Sequence, residues 1–221
     1  MYVPRGHLEK LYLRAGLPMV FVHTPKCAGS FVASAFGRRF TRCVTLTKPE
    51  LSGHLTWQQY KVAFMKIGLS IKDYVTFSTM RNPWAWHVSW YTYIKNDSGG
   101  RKSGHYIEHE QFKSMNFENY IETLADPDLP RSPQGYTTRQ VSDWFIDDDG
   151  KIAVDYVLRA ERISHDFEMM RMKENLRVAL PTEKVNVSNK VDFREFYNDC
   201  TKAIVRLRHS RDIEMFGYDF K

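Results

Sequence analysis

The chain has 221 residues, 43% of them hydrophobic, enough for one sizeable core, and its composition excludes a disordered, collagenous or disulfide-scaffolded chain. Its 32 basic and 26 acidic residues leave a net charge of +6, which favours anionic partners. Three cysteines, Cys27, Cys43 and Cys200, show neither CxxC nor Cys/His metal spacing, and the apolar runs fall far short of the roughly 20 residues that span a bilayer. The opening segment MYVPRGHLEK lacks the apolar centre of a signal peptide. These features predict a soluble, cytoplasmic chain folded as a single domain over residues 1–221.

Taken in chain order, short apolar, β-branched runs predict strands over 19–23, 43–46, 74–78, 152–158 and 184–187. Helical spacing predicts helices over 30–40, 56–67, 83–94, 117–124, 164–175 and 199–211. The polar stretch 95–110 reads as a long surface loop. Strands alternating with helices imply βαβ units, hence an α/β fold around a mainly parallel sheet. In such a sheet, ligands bind beyond the carboxyl ends of the strands.

The sequence HTPKCAGS follows the first predicted strand. Gly29 permits close backbone approach, and the amides from Lys26 through Cys27, Ala28 and Gly29 to Ser30 stand at the positive end of the next helix, an arrangement suited to phosphate. Lys26 adds a full charge and Ser30 a hydroxyl. The alternative is a plain strand-to-helix turn with a solvated lysine. The order also differs from GxxxxGK[ST], in which the lysine is followed by a magnesium-binding hydroxyl: here Cys27 follows Lys26, which favours a metal-free phosphate cradle. Cys27 beside Lys26 reads as a small loop residue rather than a nucleophile.

A second constellation, YVTFSTMRNPWAWHVSWY, leads from a strand into Arg81, then Asn82 as N-cap and Pro83 at the first helical position. The Arg81 fork suits phosphate, a structural salt bridge being the alternative, and Ser89 lies about two helical turns further on. Trp84, Trp86, Trp90 and Tyr91 read as core or lid rather than a base-stacking platform.

These two segments resemble the 5′-phosphosulfate loop (IPKTAGTS) and the 3′-phosphate motif (FVRNPYDRLVSxY) of sulfotransferases, closest to the carbohydrate branch acting on heparan and chondroitin. Softer likenesses in GHLTW, VDYVLRAERISHDFEMM and DIEMFGYDF extend the resemblance over about residues 18–220. The resemblance implies a P-loop-like three-layer fold and transfer of a sulfuryl group from 3′-phosphoadenosine 5′-phosphosulfate to an acceptor hydroxyl on a small molecule or glycan, with no metal. It places Lys26 at the leaving group, Arg81 and Ser89 at the 3′-phosphate, and Ser188 and Lys190 as further cofactor contacts, a plain loop being the alternative for the last two. His54 is implied as the base, with an acid limb of the rate near the ordinary histidine value of about 6.5; read from the residues alone, a surface or capping histidine fits better, and His23 or an acidic residue is the next candidate. Cys27 stands where the family carries threonine, which removes a hydroxyl but leaves the backbone. Where eukaryotic relatives carry a membrane anchor this chain shows none, as expected of a bacterial or viral cytoplasmic enzyme or an excised catalytic domain.

Arg139 and Gln140 precede an acidic turn, Asp147 to Gly150, read as a solvated hairpin rather than a metal site; the two residues are placed at the border of an acceptor site. Two rival functions stand beside sulfuryl transfer. One is a small-molecule kinase using ATP and magnesium. The other is a non-catalytic polyanion-binding module, disfavoured with nucleic acid as a partner because the positive charges are scattered.

Overall fold

A computed structural model describes residues 17–36, 54–66, 68–96, 112–126, 139–182 and 192–221. The predicted strands 43–46 and 184–187, most of the loop 95–110, and the residues Cys43, Ser188 and Lys190 lie outside them. The chain divides into two compact units, Met1–Met80 with Ser142–Ser188 and Arg81–Val141 with Asn189–Lys221.

The first unit is α/β. Strands β1 (Met19–Val22), β2 (Val75–Met80) and β3 (Tyr156–Arg159) form a parallel sheet in the order β1-β2-β3, with Phe21 opposite Phe77 and Phe77 opposite Tyr156. All four residues of β1 are buried, the continuous apolar pattern of a strand covered on both faces. Helix α1 (Gly29–Ala35) follows β1, α2 (Trp57–Met65) precedes β2, and α5 (Ile163–Lys173) follows β3. The pleat sends Met19, Phe21 and Phe77 to one side, where they pack with Phe31, Val32 and Phe36 from the α1 region and with Ile163, Phe167 and Met170 of α5. Phe21 and Phe77 stack at 4.7 Å. The start of β3 is clamped to β2: Asp155 accepts from the Thr76 amide and hydroxyl at 2.8 Å each.

The second unit is helical, built from α3 (Pro83–Asn96), α4 (Phe117–Thr123), α6 (Asp199–Arg208) and α7 (Ser210–Phe216). Trp84, Val88 and Ile94 of α3 pack with Phe117, Tyr120 and Ile121 of α4 and Val205 of α6. The tryptophans of α3 are core, one of the two roles their sequence pattern allows: Trp84, Trp86 and Trp90 are all buried, whereas Tyr91 is partly exposed. Among the described residues no helix is long and apolar enough to cross a membrane.

Several boundaries differ from the sequence reading, among them that of α1, predicted to position 40 but ending at Ala35. The strand predicted over 152–158 is a one-residue antiparallel bridge, Ile146 to Ile152, closing the acidic hairpin, followed by the shorter β3. Asp147 Oδ1 accepts from the Asp149 and Lys151 amides, so this carboxylate shapes the turn; among the described residues no cluster of His, Cys, Asp and Glu is placed to hold a metal. β2 runs to Met80, directly before Arg81. The helix predicted over 199–211 breaks at His209, whose φ of −109° and ψ of 28° leave the helical region while its ring bonds to Asp212 at 2.9 Å.

Because Phe77 is 0% exposed and joins both strand partners to the helices, Phe77→Ala is expected to lower unfolding stability by about 3–5 kcal/mol in urea titration. A loss below about 1 kcal/mol would show that this stack is not central to the core.

Candidate functional site

The end of β1 is held by hydroxyls before the loop begins. Ser78 Oγ donates to the Val22 carbonyl at 2.7 Å, which commits its single proton, so the 2.9 Å contact with Thr24 Oγ1 has Thr24 donating. Both side chains are buried. From this anchor the chain turns through Lys26 at φ 61° and Ala28 at φ 60°, left-handed conformations that cost a residue with a Cβ roughly 1 kcal/mol or more each. Left-handed residues interspersed in a turn aim successive backbone amides to one side, the geometry of an anion nest. Ala28 caps α1, its carbonyl accepting from Phe31 and Val32 at 3.0 and 3.1 Å, so the amides of Gly29 and Ser30 lie in the first turn, where a helix offers no acceptor of its own. Lys26 is partly exposed, Ser30 exposed, and the Cys27 side chain buried, so Cys27 offers the loop its backbone.

Gly29 is required by its neighbour. A Cβ there would meet His23 Nε2 at 1.9 Å and Cδ2 at 2.0 Å. The His23 ring therefore lies directly on the loop, stacked on Phe21 at 5.2 Å and meeting the edge of His54 at 4.4 Å. The sequence gives His23 no motif of its own; its contact with Gly29 appears only when β1 and the loop are folded.

His54 stands two residues before Thr56, the N-cap of α2, where a reciprocal pair of bonds with Gln59 sets the helix start. Its Nδ1 lies 2.9 Å from the His23 carbonyl, which can only accept, so Nδ1 carries the proton and Nε2 presents a lone pair. This is the tautomer a base needs. The pH expectation, however, changes: burial, opposed by the His23 carbonyl and reinforced by the Lys26 charge, lowers His54 to about 4, not 6.5. His23 is likewise held well below its ordinary value, first by burial and then by the His54 charge. Both imidazoles are neutral near pH 7.

The loop, His23 and His54 are thus brought together within the first unit. Arg81 and Ser89, both partly exposed, belong to the second, where Asn82 caps α3 as its position predicts: Oδ1 accepts from the Trp84 and Ala85 amides, and Nδ2 donates to the Asp219 carbonyl at 2.9 Å. Ser89 lies about 9 Å along the α3 axis from Pro83 by helical rise. Arg139 and Gln140, partly exposed, lead into Val141, whose amide bonds Asp212.

Comparison of the whole chain with protein-family models, curated proteins and solved structures finds no match.

Two outcomes follow from this geometry. Gly29→Ala should strongly impair the loop, whereas His23→Ala combined with Gly29→Ala should recover part of the loss, giving a coupling of about 1–3 kcal/mol in a double-mutant cycle of thermal stabilities; strict additivity would show that the ring and the glycine do not meet. Separately, His23, His54 and the buried His87 all have folded values below the unfolded one, so the unfolded chain binds the extra protons. Their contribution is complete above about pH 6.5 and is lost progressively as pH falls below it, that of His54 through about 4. Urea midpoints measured across that window should fall with acid, and a flat profile would show these rings to be solvated.

Proposed function

We propose that the protein is a sulfotransferase of P-loop-like architecture that moves a sulfuryl group from 3′-phosphoadenosine 5′-phosphosulfate to an acceptor hydroxyl, with a sugar as the acceptor class. The observation that carries this reading is the juxtaposition, within one unit, of a left-handed loop bearing Lys26 with a histidine whose tautomer is fixed for proton acceptance. A phosphate cradle alone would suit many nucleotides. A neutral base beside it suits transfer to a hydroxyl.

The loop's donors fit the 5′-phosphosulfate: first-turn amides of α1, the Ser30 hydroxyl and the Lys26 ammonium are all positive or hydrogen-bearing. The bound donor supplies an activated sulfuryl group, whose bond to the departing bisphosphate oxygen breaks as the bond to the acceptor oxygen forms. Lys26 stabilises the charge that grows on the departing oxygen. His54 Nε2 takes the proton of the acceptor hydroxyl, while Nδ1 stays bonded to the His23 carbonyl and holds the ring in orientation. Arg81 and Ser89 hold the 3′-phosphate by the sequence resemblance, and Ser188 and Lys190 are carried with them as cofactor contacts. A lowered pKa makes His54 a weak base but keeps it unprotonated at every pH above about 4, so the acid limb of turnover belongs near that value.

Cys27 in place of a magnesium-binding hydroxyl after Lys26 weighs against the kinase alternative. Adenosine 3′,5′-bisphosphate at 100 times its Kd, in the presence of a chelator, should stabilise the protein by about 2.7 kcal/mol, with ATP and magnesium doing much less; the reverse preference would replace the proposal with the kinase. Lys26→Ala should lower turnover by a larger factor than it lowers bisphosphate affinity, because its charge acts on the transition state. Equal losses would make it a binding residue only. His54→Ala should reduce turnover by about 10²- to 10⁴-fold with bisphosphate affinity nearly unchanged.

A further inference from the structure

Away from the loop, the second unit buries a continuous row of titratable groups that the proposed chemistry does not use. Tyr120 Oη lies 2.8 Å from His87 Nδ1, His87 Nε2 lies 2.8 Å from His209 Nε2, and His209 Nδ1 lies 2.9 Å from Asp212 Oδ2. The same Asp212 oxygen accepts from the Val141 amide at 2.6 Å. Tyr120, His87, His209 and Asp212 are each 0% exposed. All four imidazole nitrogens therefore have partners inside the protein.

Two ring nitrogens 2.8 Å apart must share a single proton between them, and that requirement fixes the whole row. With Asp212 accepting, His209 carries its hydrogen on Nδ1 and is bare at Nε2. His87 then donates from Nε2, is bare at Nδ1, and receives the Tyr120 hydroxyl. One added proton produces a second arrangement with every contact still made: His209 is protonated at both nitrogens beside the Asp212 carboxylate, its Nε2 donates to His87 Nε2, and His87 donates from Nδ1 to the Tyr120 oxygen. The two histidines exchange roles, and Tyr120 turns from donor to acceptor, so its hydrogen must swing to another partner. No atom need be lost from the row in either state.

We propose that Tyr120, His87, His209 and Asp212 form a one-proton switch, a hydrogen-bond row linking α3, α4 and the α6–α7 break whose direction reverses when one proton is added. The residues come from all of these elements: His87 from α3, Tyr120 from α4, His209 from the break itself and Asp212 from α7. Arg208 acts on His87, and Tyr91 stacks on Tyr120 at 6.0 Å. Burial, His209 and Arg208 all oppose a charge on His87. His87 lies between Arg81 and Ser89 in sequence. If the sulfotransferase reading holds, on which this consequence alone rests, the switch also tunes the grip on the 3′-phosphate.

The test uses the full chain labelled with ¹⁵N histidine, followed by long-range ¹H–¹⁵N spectra from about pH 8 to 5. On the alkaline side, His87 should carry hydrogen only on Nε2 and His209 only on Nδ1. With acid, His209 should become doubly protonated at the same midpoint at which the His87 hydrogen moves to Nδ1. Trp86, whose ring lies 5.1 Å from His87 and 5.7 Å from His209, should change emission at that midpoint while far-ultraviolet dichroism stays constant. His87 with hydrogen on Nδ1 at alkaline pH, independent midpoints, or no exchange before unfolding would each overturn the switch. Once corrected for the titration of the ligand's own phosphates at about pH 6, adenosine 3′,5′-bisphosphate affinity should still change at the histidine midpoint. No such residual change with the exchange observed would remove the coupling to Arg81 and Ser89. Failure to bind at either pH would instead count against the sulfotransferase reading, while the histidine spectra decide the switch by themselves.

Discussion

The commitment of the Ser78 proton to the Val22 carbonyl governs the geometry of the first unit. That bond ties the last residue of β1 to the middle strand, and it leaves the Ser78 oxygen as an acceptor that can only be met by Thr24. The chain therefore leaves the sheet at one fixed point. From there Lys26 and Ala28 accept left-handed conformations that a loosely held loop would relax, and His23 is set over Gly29. Unstrained alternatives exist for an isolated loop; the buried hydroxyl pair makes them inaccessible without breaking two hydrogen bonds away from water.

The second consequence of that anchor is electrostatic. His23 contributes its carbonyl to His54 and its ring to the loop, so a single residue orients the His54 imidazole by its backbone and packs against it by its side chain. Burial lowers the affinity of both rings for protons, and the Lys26 charge adds to this at His54. A cationic loop and a protonated base would compete for the same counter-charge. Neutral imidazoles leave the loop's positive character for an anion.

What the sequence made legible were the features carried by local pattern. The apolar run of β1, the Asn82–Pro83 start of α3, the Thr56 start of α2 and the acidic hairpin all stand close to where periodicity and cap chemistry place them. The short β3 was overestimated because Ile152 and Val154 satisfy the same alternating pattern as a strand while closing a hairpin. The break at His209 carries no mark in the sequence: Arg208, His209 and Ser210 are all compatible with a continuous helix, and the ring is held both by Asp212 in the next turn and by His87 far back in the chain. The same is true of His23, whose importance comes from Gly29 and His54. Site residues that act through distant partners carry no local signature, whereas those that act through a turn or a cap do.

The sheet also has a kinetic character. Ser78 bonds a residue 56 positions earlier and Thr76 one 79 positions later, so neither strand pair of the first unit can form as a local hairpin. The two units are moreover interleaved along the chain, since Arg81–Val141 separates the β2 and β3 portions of the first. During synthesis β1 and β2 emerge well before β3, and the clamp between Thr76 and Asp155 has no partner until the ribosome has passed position 155. The apolar edge of β2 is consequently exposed on a nascent chain for the length of a whole helical segment. Chaperone dependence and a temperature-sensitive folding yield are the expected cost of building this loop on strands this far apart.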